Sequence, residues 1–384
     1  MMTRWILLCL CALLAACATT PPAPPPRHLL HDTLFEPSTQ PTRSGDVFAL
    51  SDEMRDYLKT RIADWTRRNG RQKGLLDALY ARSELQLRYD TGPTRTASEA
   101  FAARSGNCLS LVIMTAAFAK ALDLHVEYQS AFTDETWSRS GQLYFRSGHV
   151  NITLSRRAVD ASRVVGDAVH WTVDFLPPSE LRGLRTRRLE EAELLSMYYN
   201  NRAAEMLAQG LVDPAYWWAR EATLTAPQSL GALNTLGVIY QRRGLRPQAE
   251  QVFAHVLQHD PQYTAAMHNL VQLLAEAGRT AERDALAARL AALEPEPPFR
   301  YFELGQAALR EGDYRAARDW FAKEVARADY SHEFHFWLGV AHYRMGEIEA
   351  ARREMELAQA HSPTRGEKDL YAAKLARLRE LQQP

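Results

Sequence analysis

An excess of charge of either sign is missing from this 384-residue chain, and cysteine is scarce. Lys+Arg 46 and Asp+Glu 46 balance to a formal net charge of +0, so the basic excess that marks a nucleic-acid binder is missing. A partner must therefore be recognised by a site and not by bulk charge. Of the four cysteines, Cys9, Cys11 and Cys17 crowd the N-terminus and Cys108 stands alone. A bilayer-length apolar run is also lacking: Trp5 to Ala16 is twelve residues long, against the ~20 needed to cross a membrane. With 46% hydrophobic, 24% charged and 9% aromatic residues, the composition excludes disorder and a collagen-like fibre, and it allows two or three domains with a sizeable core.

Arg4 precedes the short apolar run, which ends in Leu14-Ala15-Ala16-Cys17. A positive residue, a short core and small residues before a cleavage point read as a secretory signal. The ending resembles the lipobox of bacterial lipoproteins, whose cysteine is acylated and becomes the mature N-terminus. The resemblance implies a signal peptide over residues 1–16, lipidation at Cys17 and membrane association through a lipid anchor; an ordinary secretory signal is the alternative. Ala18, standing where the lipoprotein family carries an aspartate for inner-membrane retention, implies the periplasmic face of the outer membrane. Residues 17–50 then form the lipidated N-terminus and linker, in which Pro21-Pro22-Ala23-Pro24-Pro25-Pro26 favours an extended polyproline rod of roughly 3.1 Å per residue, expected to act as a stalk.

The second half of the chain repeats. Pro227, Pro261 and Pro295 are 34 residues apart, and Pro363 keeps the phase with Asp329 in the skipped place. Gly237, Gly305 and Gly339 share a second phase, with Ala203 matching and Val271 departing. Ala215, Ala249, Ala317 and Ala351 share a third, with Arg283 departing, and Phe253, Phe321 and Met355 supply the large residues. Two helices cross closely only where side chains are small, and a proline ends a helix it cannot continue. The pattern resembles the tetratricopeptide repeat, in five units over about 196–365, with Glu367 to Leu381 as a capping helix. The resemblance implies a groove for a protein or peptide partner. His332, His335 and His342 cluster in the last unit, but they lie at packing positions without the donor spacing of a metal site, so neither metal nor cofactor is expected.

Residues 51–180 have a different texture. Once Cys17 is acylated, Cys108 has no partner for an intramolecular disulfide. It follows Ser105-Gly106-Asn107 and opens the apolar stretch Leu109 to Leu124, which reads as a buried helix capped near Asn107. A thiol at a helix N-terminus meets the positive end of the dipole, which favours the nucleophilic thiolate. In His149-Val150-Asn151-Ile152-Thr153-Leu154 the apolar residues alternate, leaving His149 on the other face at the start of a strand; in Trp171-Thr172-Val173-Asp174-Phe175 the same alternation sets Asp174 near the end of another. Antiparallel pairing would make His149 and Asp174 neighbours roughly 5 Å apart. Facing Cys108, they would complete a Cys-His-Asp triad. His125 and His170 are the rival bases, His125 lying at the far end of the helix and His170 serving as the fallback.

Arg104-Ser105-Gly106-Asn107-Cys108, Gly148-His149-Val150 and Trp171-Thr172-Val173-Asp174 together resemble the transglutaminase-like superfamily, a papain-like α+β fold. The resemblance implies Cys108 as nucleophile, His149 as general base and Asp174 as orienting acid, with no cofactor. The expected architecture is thus an α+β papain/transglutaminase-like domain over 51–180, followed by an all-α tetratricopeptide solenoid over 190–384. The expected activity is amide or peptide hydrolysis by an envelope cysteine enzyme whose repeats dock a protein partner. Protein crosslinking through the same thioester and a non-catalytic envelope scaffold are the alternatives.

Overall fold

The computed structural model describes residues 24–38, 44–80, 85, 87–89, 92–140, 143–155, 170–175, 185–297, 299–329, 331–362 and 365–380. Cys17 and the lipobox lie outside these residues.

The chain is mostly helical. A first helical run comprises α1 (Asp52–Tyr57), a π-helical turn (Leu58–Ile62) and α2 (Ala63–Asn69), and is followed by α3 (Arg71–Tyr80). Strand β1 (Arg88–Tyr89), helix α4 (Ala97–Ala103), strand β2 (Ser105–Gly106) and helix α5 (Cys108–Ala121) come next. A long hairpin of β3 (His125–Ser140) and β4 (Leu143–Ser155), then β5 (Trp171–Val173) and β6 (Arg185–Leu189), form an antiparallel sheet in the order β5-β4-β3-β6. β1 and β2 make a separate parallel pair.

Helix α5 is apolar on every side, and every residue from Leu109 to Ala119 is buried, as a helix without a polar stripe must be. Its cap is the expected one: the Asn107 side chain accepts from the Ser110 N–H. It packs against β4 and β3, whose inward residues Val150, Ile152 and Leu154 are fully buried.

The solenoid is built from helix pairs: α6 (Glu191–Ala208) with α7 (Val212–Thr225), α8 (Leu230–Arg242) with α9 (Arg246–His259), α10 (Thr264–Glu276) with α11 (Thr280–Leu293), α12 (Arg300–Glu311) with α13 (Tyr314–Arg327), and α14 (His332–Arg344) with α15 (Ile348–His361), closed by α16 (Arg365–Glu380). Second helices begin at Val212, Arg246, Thr280, Tyr314 and Ile348, 34 residues apart each time. Gly210, Gly244, Gly278, Gly312 and Gly346 keep the same beat in the intervening turns, all with φ between +71° and +81°, a left-handed conformation that glycine adopts without penalty. The small residues of the pattern mark the helix crossings: a Cβ on Gly237 would lie 2.5 Å from the Phe253 ring, and one on Gly305 would lie 2.6 Å from Phe321. In the third unit the sizes exchange, with Val271 in the glycine position and Ala287 in the phenylalanine position.

The expected fold class needs correction. No distinct α+β papain/transglutaminase-like domain stands out among the described residues; the structure is a tetratricopeptide-like helical solenoid with only a small sheet. The strand signals at Val150/Ile152/Leu154 and Trp171/Val173 are real but local, since β5 has three residues and β6 five. Among the described residues the apolar core behind the sheet is not confined to it. One apolar cluster runs from Val47 through α5 and the sheet to Leu194, Tyr198, Tyr199, Ala222 and Ala232 of the first repeats.

The expected stalk is also revised from Pro24 onward. Residues 24–38 lie against the repeats. Phe35 stacks on Tyr216 at 3.9 Å with near-parallel rings, and Asp32 pairs with Arg220 at 3.0 Å and accepts from the Tyr216 hydroxyl at 2.6 Å. Tyr240 donates to the Leu29 carbonyl at 2.7 Å. No helix among the described residues is long and apolar enough to cross a membrane.

Candidate functional site

Cys108 is the first residue of α5 and is half-buried. Gly106 allows the approach, because a Cβ there would sit 2.7 Å from the Ser110 Cβ. Asn107 then holds the turn with its Oδ1, accepting from the Ser110 N–H at 2.9 Å and the Ser110 hydroxyl at 2.8 Å. The first turn thereby presents the thiol at the positive end of the helix dipole.

His149 is reached differently from expectation. Its strand starts at Leu143, so it lies within β4, opposite Ala131, where the pairing jumps to Thr136 opposite Ser147. Such an irregularity bends a strand and redirects the adjoining side chains. Asp174 follows β5 directly. The register Ile152↔Val173 sets it opposite Asn151, so His149 is its diagonal neighbour. Diagonal pairs remain within reach of long side chains, and His149 Nε2 lies 2.6 Å from Asp174 Oδ1. Both side chains are buried, at 6% and 7% exposure.

Asn151 was missed by sequence reasoning. Its Nδ2 donates to Asp174 Oδ2 at 3.1 Å, so both carboxylate oxygens are engaged. The signal was present, since Asn151 is two residues from His149 and therefore on the same strand face.

With Nε2 held by Asp174, Nδ1 is the nitrogen left for Cys108. Burial opposes the imidazolium, but hydrogen bonds to Asp174 and Cys108 and the electrostatic interaction with both outweigh it and push the His149 pKa up to about 9. The described structure thus brings Cys108, His149 and Asp174 together in the order thiol, imidazole, carboxylate. It leaves the rival bases outside. His125 is at the start of β3 and pairs with Glu127 at 3.2 Å, and His170 is exposed just before β5.

The histidines of the last unit are each held by protein groups. His332 Nδ1 meets the Tyr371 hydroxyl at 2.8 Å, His335 bridges Glu354 and the Asp329 carbonyl at 2.7 Å each, and His342 Nδ1 meets Glu347 at 2.6 Å. Among the described residues no group of His, Cys, Asp and Glu is arranged to hold a metal ion.

A second feature lies on the solenoid. Helices α12 and α14 frame a pocket of about 470 Å³, with Phe302 and Trp337 as its aromatic part and Glu303, Gln306, Arg310 and Glu333 as its polar part. The β3–β4 hairpin packs against α6 and α10, whereas the pocket lies on the fourth and fifth units.

No family model matches the chain, and no curated protein does. Among solved structures, the chain is similar to PilF of Pseudomonas aeruginosa, 20% identical, covering 50% of this chain and 87% of that one with a TM-score of 0.31. A thermophilic tetratricopeptide protein of Thermus thermophilus is 18% identical, covering 47% and 99%, with a TM-score of 0.32. Yeast Tom70 is 14% identical, covering 49% and 40%, with a TM-score of 0.36. The assignment of a tetratricopeptide-like solenoid to this chain rests on its own helix spacing, turn glycines and crossing contacts.

Proposed function

We propose that this chain is a protein-binding helical-repeat scaffold. The observation that carries the reading is the pocket across α12 and α14: a lining that combines Phe302 and Trp337 with polar side chains suits an apolar side chain of a peptide together with its neighbouring backbone amides. A photo-crosslinking residue at Gln306, in the full chain in cells, is expected to give a discrete adduct. The adduct is expected to disappear with Trp337→Ala, and a crosslinker at Ala288 on α11 is expected to give none. Equal adducts from both positions, or none from Gln306, would overturn the reading.

A second reading is favoured by one specific arrangement, the hydrogen-bonded series from Asp174 through His149 to Cys108. On this reading the scaffold also carries an amide-cleaving cysteine site. Cys108 Sγ attacks the carbonyl carbon of an amide, the developing oxyanion is met by N–H groups of the first turn of α5, and His149 gives its proton to the departing nitrogen. A thioester and a free amine result. Water, losing a proton to His149, then attacks the thioester, releasing a carboxylic acid and restoring the thiol; an amine in place of water would give a crosslink. Asp174 and Asn151 hold the ring throughout. Alkylation of Cys108 by iodoacetamide is the test: a rate above that of glutathione near neutrality, reduced in His149→Ala, supports the site, and a rate equal to glutathione's in both proteins removes it.

The anchoring reading rests on Leu14-Ala15-Ala16-Cys17: acylation at Cys17 would hold the protein at the periplasmic face of the outer membrane. Incorporation of a palmitate analogue that is lost in Cys17→Ala supports this, and equal incorporation in both proteins refutes it.

A further inference from the structure

Cys108 owes its position to a helix cap, and that cap is not held by its own neighbourhood alone. Asn107 has two ends. Its Oδ1 accepts from Ser110, and its Nδ2 donates to Thr94 Oγ1 at 3.0 Å. Thr94 is 2% exposed and is tied twice to α6 of the first repeat: its N–H donates to Glu205 Oε1 at 2.6 Å, and its Oγ1 accepts from Asn201 Nδ2 at 3.2 Å. The next residue completes the clamp, since the Arg95 N–H donates to the Ser110 hydroxyl at 2.8 Å. Glu205 is itself steadied by Arg202, whose Nη1 lies 2.7 Å from Oε2. A continuous series of hydrogen bonds therefore leads from the first solenoid helix, over 107 and 111 residues of sequence separation, to the residue that precedes the thiol.

We propose that α6 of the solenoid positions the Cys108 nucleophile, with Glu205 and Asn201 acting through Thr94 on the Asn107 cap. The inference rests on the reading of Cys108 as a nucleophile and adds that the repeats regulate it: whatever displaces α6, including a protein seated on the first unit, alters the set of the thiol against His149. The physical reason is directional. Asn107 places a donor on Thr94 and an acceptor on Ser110, so its amide has one orientation that satisfies both ends, and a buried donor left without an acceptor drives the side chain to a new rotamer. Reaction geometry tolerates little of this, because a 1 Å misplacement costs up to ~10²-fold in rate.

The test uses the full-length chain and the second-order rate of Cys108 alkylation by iodoacetamide against pH, with the melting temperature recorded in parallel. Thr94→Val removes the acceptor at nearly constant shape, and Thr94→Ser restores it. Glu205→Ala removes the other anchor from a partly exposed site, and Glu205→Gln retains an acceptor. The expected result is a roughly tenfold loss of rate in Thr94→Val and Glu205→Ala, recovery in Thr94→Ser and Glu205→Gln, and a wild-type rate that is fast and depends on His149. A fast, His149-dependent wild type whose rate is unchanged in Thr94→Val and Glu205→Ala would overturn the positioning role and leave the nucleophile reading intact. A loss of rate that follows the melting temperature and is not rescued by Thr94→Ser or Glu205→Gln would overturn it also. A wild type no faster than glutathione would remove the nucleophile reading and this inference with it.

Discussion

His149 Nε2 meets Asp174 Oδ1 at 2.6 Å although the two residues are not register partners, because Asp174 stands opposite Asn151. The diagonal leaves the second carboxylate oxygen to Asn151, so a single aspartate orients the imidazole while being oriented itself. This pairing determines what is expected when either partner is altered.

Asp174→Asn is expected to keep the fold and to lower turnover of an activated ester by about 10² to 10⁴, through loss of the acceptor that selects the His149 tautomer. Asn151→Ala, which removes one donor to the carboxylate and leaves the His149 bond in place, is expected to cost about tenfold, in line with one hydrogen bond to a charged group. Stopped-flow acylation of Cys108 measures both. An Asn151→Ala effect as large as that of Asp174→Asn would contradict the division of labour.

The pH dependence of stability follows from His149. Its folded-state pKa is raised, up to about 9, above the ~6.5 of an unfolded histidine. A raised value stabilises the fold fully below pH ~6.5, and the contribution is lost as the pH climbs through about 9. The wild-type melting temperature is therefore expected to fall more steeply between pH 6.5 and 9 than that of His149→Gln. Parallel slopes in scanning fluorimetry would show that His149 gains nothing from its partners.

At the helix crossings, Gly237→Ala and Gly305→Ala are expected to destabilise by about 1–3 kcal/mol, since the new methyl collides with a phenylalanine ring. Gly339→Ala meets the Ala351 carbonyl and Met355 Cε at 3.2 Å and the Glu354 Cβ at 3.3 Å, looser contacts than the two ring collisions. The methionine can yield, and the helix propensity gained, about 1 kcal/mol, offsets the contact. Urea denaturation should rank Gly339→Ala well above the other two, and equal midpoints would exclude the crossing argument.

The N-terminal segment is expected to stabilise the first two units. Phe35→Ala deletes a buried ring stacked on Tyr216 and should cost about 3 kcal/mol. It should also open Arg27 to trypsin while the remainder of the chain stays resistant. Cleavage at Arg27 with the same rate in wild type would show that the segment is loosely held.

Local signals were the legible ones. Asn107 as a cap and the apolar run behind it are decided within four residues, so α5 could be placed from its sequence, and the 34-residue beat located the helix crossings because packing distances repeat with it. Gly210 and its four successors carried the same beat in the turns and could have been read too. The chemistry of His149 with Asp174 was visible, but not its register, because β4 begins at Leu143 and its pairing is irregular beside His149. The papain-like expectation failed because short alternating runs report strands and not the partner that covers them; here α5 and the first repeats do so. Thr94 with Glu205, and Asp32 with Arg220, were beyond reach since nothing in either segment announces a partner more than a hundred residues away.

The docking of Pro24 to Ser38 also sets an order of assembly. The hydrogen-bond partners of this segment lie 177 to 211 residues downstream, from Asp213 to Tyr240. Its seat does not exist until the first two helix pairs have folded, so this segment settles after them. Contacts of such long range are slow to close. Until they do, the ring faces of Tyr216 and Tyr240 that Phe35 covers stay open on the folding solenoid.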